Sequence, residues 1–147
     1  MSPGGIPVEA GPQTGDLVMA VARRVRRAHV DALADWEVTP SQARALRVLA
    51  TSGGGMRPSV LAEHLRIAPR SATEVADSLE ERGWVRREPD PTDRRATTLI
   101  LTGDGLELVS QIDDVRRAAS EQVLDVLTPA QRRTLHEILT VVVGEDP

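Results

Sequence analysis

The chain has 147 residues, 40% of them hydrophobic, enough for one compact unit with a real core. With no cysteine it has no disulfide framework, thiolate metal site or thiol redox switch, and no apolar run approaches the roughly 18 residues that span a bilayer. The N-terminus has no basic segment leading into an apolar one, so the expectation is a cytoplasmic chain without a membrane partner. The net charge of -4 is unevenly spread, with eight Arg and eight acids over residues 57–100 but four Arg and nine acids over residues 101–147.

Residues 1–14, rich in Pro and Gly and without apolar periodicity, read as a disordered tail. From Asp16, Leu17, Val21, Val25 (or Ala28) and Leu33 recur at the spacing of a first helix, whose Arg23, Arg24, Arg26 and Arg27 read as a solvated face. Thr39-Pro40-Ser41-Gln42 supplies a capping hydroxyl, a proline at the first helical position and a Gln three residues after the cap. A second helix follows, with Ala43, Leu46, Val48 and Leu49 apolar, and stops at Ser52-Gly53-Gly54-Gly55.

Pro58 opens a short third helix through Leu61, Ala62 and Leu65, and Ile67-Ala68-Pro69 breaks it, because proline clashes with helical backbone before it. A fourth helix runs from Pro69 or Ser71 to Arg82, where Gly83 supplies a left-handed terminator and Trp84 folds back over the last turn. Two short helices joined by a tight turn make a helix-turn-helix. Val85–Glu88 and Ala96–Leu101 are β-prone runs around a tip containing Pro89, Asp90, Pro91, Thr92 and Asp93, which makes a hairpin wing. Thr102 caps a long fifth helix, and Thr128-Pro129-Ala130-Gln131 repeats the capping chemistry before a sixth that carries Leu135, Ile138, Leu139 and Val142.

Leu61-Ala62-Glu63-His64-Leu65, the run from Ser78 to Val85, Asp90-Pro91-Thr92-Asp93-Arg94-Arg95 and Leu101-Thr102-Gly103-Asp104-Gly105 resemble the MarR family of transcriptional regulators. The resemblance covers about 130 residues, and Asp-Arg-Arg followed by Leu-Thr and a Gly is its most specific part. It implies a mainly α winged helix-turn-helix fold with one hairpin. Residues 39–101 would form the DNA-binding lobe, and residues 15–37 and 103–147 the helices of a homodimer.

The N-terminal residues of a helix lying in the major groove reach base edges. Here those are Arg70, Ser71, Thr73 and Glu74. Arg70 suits a guanine edge or a phosphate, the two hydroxyls suit either, and Glu74 suits a cytosine amine. Ser71 and Glu74 also fit a capping box with no DNA contact. Family members often have a basic residue at the position of Glu74, and this chain departs from that.

An Arg on a narrow hairpin can enter the minor groove, the role expected of Arg95. In the family the preceding Asp, here Asp93, forks the arginine's guanidinium; the alternative is a purely structural turn clamp. Arg94 would face phosphates or brace the hairpin, and Arg86 and Arg87 at its base suit either a phosphate or solvent.

The resemblance further implies a small aromatic or anionic effector held where the dimer helices meet the DNA-binding lobe, with His29, Trp36, Arg44 and Arg47 in the relevant segments. The function expected is a homodimeric, sequence-specific repressor of pseudo-palindromic duplex sites, released by such a ligand. The alternative is a winged-helix protein-interaction module without DNA binding. The three histidines lack ligand spacing and no catalytic constellation is present, so neither a metal, a cofactor nor an enzymatic activity is expected.

Overall fold

The computed structural model describes residues 11–144, and residues 1–10 of the expected tail lie outside it. The elements run α1 (Thr14–Ala32), a 3₁₀ turn (Ala34–Trp36), α2 (Pro40–Thr51), α3 (Pro58–Leu65), α4 (Pro69–Glu81), β1 (Val85–Pro89), β2 (Thr97–Leu101), α5 (Gly103–Val123) and α6 (Pro129–Val143). The order is the expected one. Helix α1 opens at Thr14, inside the stretch expected to be tail, because the Asp16 carboxylate accepts the Gln13 amide at 3.2 Å.

Local chemistry sets the helix ends. Thr39 and Gln42 cap α2 reciprocally at 3.1 and 2.9 Å, and Thr128 and Gln131 cap α6 at 3.3 and 2.9 Å. Helix α4 ends in a Schellman motif: the Gly83 amide donates to the Glu80 carbonyl, the Trp84 amide to that of Leu79, and Gly83 takes a φ of +72°. The same pattern ends α3, with Arg66 rather than a glycine in the left-handed conformation.

Strands β1 and β2 pair antiparallel with Val85 opposite Leu101 and Pro89 opposite Thr97. Met56 adds a one-residue bridge, exchanging both backbone hydrogen bonds with Leu99 at 3.0 and 2.8 Å. This anchors the wing to the segment before α3. The core is built by Leu46 of α2, Leu61 of α3, Leu79 of α4, Val85 and Leu99 of the wing and Ile112 of α5, all fully buried. Each such side chain contributes on the order of 1.5–3 kcal/mol by leaving water.

Helix α5 packs along α1 and α2. Helices α1 and α6 bury no residue within the chain. Leu17, Val18 and Met19 at the start of α1 and Ile138, Val141, Val142 and Val143 on α6 are all more than half exposed. No described helix is long and apolar enough to cross a membrane.

Candidate nucleic-acid interface

Helix α4 turns Ala72, Ala76 and Leu79 into the core with Val75 packed half-buried against it, which leaves the other face of its first two turns outward. Arg70, Ser71, Thr73 and Glu74 all lie on that exposed face. The Arg70 side chain is 92% exposed and pairs with Glu74 at 3.4 Å. The Thr73 hydroxyl donates to the Pro69 carbonyl at 3.1 Å. Ser71 and Glu74 do not form a capping box, because the helix starts at Pro69 with Ala68 in the capping position.

Further along α4 the surface carries Asp77, Glu80 and Glu81, and a strand residue offsets part of that charge. Arg87 of β1, half-buried, pairs with Asp77 at 2.6 Å and also with Glu80. Arg86 pairs with Glu88 on its own strand at 2.7 Å. The free positive charge of the wing therefore lies at its tip, where Arg94 and Arg95 are exposed and have no ion pair among the described residues.

The tip is organised by Asp90, which sequence reading did not single out. Its carboxylate accepts from Arg57 Nε at 2.7 Å, the Thr92 amide at 2.8 Å, the Thr92 hydroxyl at 2.7 Å, the Asp93 amide at 3.1 Å and the Thr98 hydroxyl at 3.2 Å. The Arg57 guanidinium, ahead of the Thr92 bonds, holds the Asp90 carboxyl well below the usual carboxylate range. Asp93 corrects the expected fork: its carboxylate accepts the Arg95 backbone amide at 3.0 Å, so it shapes the turn and leaves the guanidinium unheld.

Residues of α1, α2 and α5 and of the segment joining α1 to α2 line an open cleft of about 770 Å³. Val30, Leu33, Ala34, Val38, Pro40 and Ala43 form its apolar part, and His29 with the arginines Arg26, Arg44, Arg47 and Arg116 its polar part. His29, Arg44 and Arg47 thus line one cleft. Trp36 is a correction: it is absent from the lining because its 3₁₀ turn packs it, half-buried, against the core. Arg26 and Arg116 were not foreseen, since only the packing of α1 against α5 brings them there.

Arg47 pairs with Asp113 at 2.8 Å. The Ser120 hydroxyl donates to the Arg116 carbonyl at 3.0 Å and therefore accepts from His29 Nε2 at 2.7 Å, which places a ring proton on that nitrogen. Burial first, then the charges of Arg116 and Arg47, lower the His29 pKa against the opposing Arg116 carbonyl. Burial and the Arg47 charge likewise lower that of Arg116.

A family model described as MarR family matches residues 36–96, from the end of the 3₁₀ turn to the tip of the wing before β2. The chain is 37% identical over 110 residues to an uncharacterized HTH-type transcriptional regulator of Mycobacterium leprae, covering 75% of this chain and 71% of that one. It belongs to the MarR family of transcriptional regulators. It is also similar to the HTH-type transcriptional repressor MdtR of Bacillus subtilis, 28% identical over 113 residues that cover 76% of this chain and 71% of the relative. Among solved structures it resembles a Mycobacterium tuberculosis MarR family protein crystallised with salicylic acid, with a TM-score of 0.69, 28% identity and coverage of 91% and 98% of the two chains. The family consists of regulators rather than enzymes, and its winged-helix architecture is the one described above.

Proposed function

We propose that this MarR-family chain is a homodimeric repressor that binds a pseudo-palindromic duplex and is released by a small aromatic or anionic effector. The observation that supports DNA binding is the position of the exposed arginines. Arg70 stands at the exposed start of α4, paired with Glu74 one turn on, and Arg94 and Arg95 stand at the wing tip without an ion pair among the described residues, while Arg87 is committed to Asp77 and Glu80. Exposed positive charge at the helix start and at the wing tip would suit phosphates and the two grooves. Ser71, Thr73 and Glu74 would read the major groove beside Arg70, with Asp93 shaping the tip and Arg86 at the wing's base close to the backbone.

Dimerisation is supported by the unsheltered apolar residues of α1 and α6, which a second copy would cover. Residues 15–37 and 103–147 would then hold two lobes, residues 39–101, over half-sites about one helical turn apart. The cleft supports effector binding: its apolar part suits an aromatic ring and its arginines an acid group, and the salicylate bound to the mycobacterial relative has that chemistry.

The test is sedimentation of the purified chain followed by selection of bound sequences from genomic DNA and titration of a selected duplex against salt. A dimer whose affinity falls steeply as salt rises is the expected result. A monomer that ignores every duplex at low ionic strength overturns the proposal and favours a winged-helix protein-interaction module.

A further inference from the structure

The cleft carries more positive charge than one acid group would use. Four arginines line it and no carboxylate does. Asp113, outside the lining, pairs with Arg47. Among the described residues Arg26 and Arg116 make no ion pair, and Arg44 has only the His64 carbonyl, at 3.4 Å. Arg116 is half-buried next to Arg47, so two like charges share the single Asp113 carboxylate with their hydration partly removed.

These unmatched charges lie on different walls. Arg26 and Arg116 belong to α1 and α5, beside His29, whereas Arg44 reaches from α2 towards the carbonyl at the end of α3. The apolar side chains that complete the lining, Leu33, Val38 and Ala43 among them, belong to neither set.

We infer that the cleft is specific for an apolar-bodied organic dianion with its two acid groups at opposite ends, one meeting Arg116 and Arg26 and the other Arg44. This rests on the cleft being the effector site and narrows the class of effector. A monoanion such as benzoate would neutralise one wall and leave the other unmatched. A ligand with both charges on one group would do the same.

The test is calorimetric titration of the full chain with benzoate, terephthalate and phenyl phosphate. Terephthalate should bind at least about tenfold more tightly than either of the others. Arg44→Met should remove that preference, and Arg24→Met, exposed on α1 and outside the cleft lining, should keep it. Thermal unfolding of both variants establishes that they fold. Equal affinity for benzoate and terephthalate, or phenyl phosphate binding as tightly as terephthalate, overturns the two-ended dianion while leaving the cleft as an effector site. If none of the three binds, the effector reading fails with it.

Discussion

Arg57, the residue before α3, donates through Nε to the Asp90 carboxylate at 2.7 Å and so fastens the wing tip to the helix-turn-helix across 33 positions of sequence. The carboxylate also holds two backbone amides of the tip, so one group fixes both the shape of the turn and its place. Asp90→Asn keeps one acceptor oxygen and loses the charge that binds Arg57. The expected result is a folded protein whose affinity for a selected duplex falls about tenfold, because Arg94 and Arg95 are no longer held in position. Fluorescence anisotropy measures the loss, and circular dichroism checks the fold.

The same pair sets an acid limit. Since the folded-state pKa of Asp90 is depressed, its stabilisation is complete above the unfolded-state value near 4 and is lost as pH falls through the lower folded value. Thermal unfolding between pH 3 and 7 should therefore show a steeper fall below about pH 4 for the native chain than for Asp90→Asn. Parallel curves would remove Asp90 as a source of acid sensitivity.

His29 acts in a higher window. Its folded pKa is lowered by burial and then by Arg116 and Arg47, so its contribution is complete above about pH 6.5 and is lost as pH falls through the lower folded value. The groups facing it are Arg26 from its own helix, Arg44 and Arg47 from α2, and Arg116 with Ser120 from α5. All the charged ones are cations, so an anion in the cleft would favour the protonated ring. His29→Gln should flatten the fall in thermal midpoint between pH 7.5 and 5. It should also reduce the gain in anion affinity that the native chain shows over the same range.

Much of this was legible in the sequence because it is local chemistry. The Thr39–Gln42 and Thr128–Gln131 boxes, the Gly83 terminator and the break at Pro69 each act within about five residues, and with apolar spacing in α1, the Thr102 cap and the β-prone runs they gave all six helices and the hairpin. What was not legible depends on contacts between distant segments. Arg57 meets Asp90 only because the single-residue strand at Met56 pairs with Leu99, and a one-residue strand has no periodicity. Arg87 is committed to Asp77 and Glu80 by the packing of β1 beside α4. Of the cleft, the residues at the α1–α2 corner were found. Arg116 was not, since nothing in its own neighbourhood tells which way that face of α5 points.

Glu74 tests how α4 meets a polyanion. It stands two-thirds exposed among the residues expected to face DNA and pairs with Arg70 across one helical turn. An exposed pair of this kind contributes only about 0.2–1 kcal/mol to stability. Glu74→Gln removes a charge that repels phosphates and releases Arg70 from its partner. Affinity for nonspecific duplex at low salt should rise several-fold with little change in unfolding free energy. Discrimination between selected and scrambled sequences should narrow if Glu74 accepts from a base. Unchanged nonspecific affinity would place this face away from the phosphates.

Gly105 shows why the Thr102-Gly103-Asp104-Gly105 motif has its final glycine. The Thr102 hydroxyl donates to the Gly83 carbonyl at 2.6 Å and accepts the Gly105 amide at 3.1 Å, while the Thr102 amide donates to the Trp84 carbonyl at 3.0 Å. These bonds draw the first turn of α5 against the end of α4, so a Cβ at position 105 would overlap the Trp84 carbonyl oxygen and crowd Leu101. Backbone is the obstacle, and it cannot swing aside as a side chain would. Gly105→Ala should destabilise the fold by about 3 kcal/mol or more, despite the better helix propensity of alanine. Gly103→Ala, where a Cβ meets nothing within 4 Å, should be neutral or slightly stabilising. Urea denaturation of the two variants side by side measures the contrast, and equal stability would show that the α4–α5 junction can open without cost.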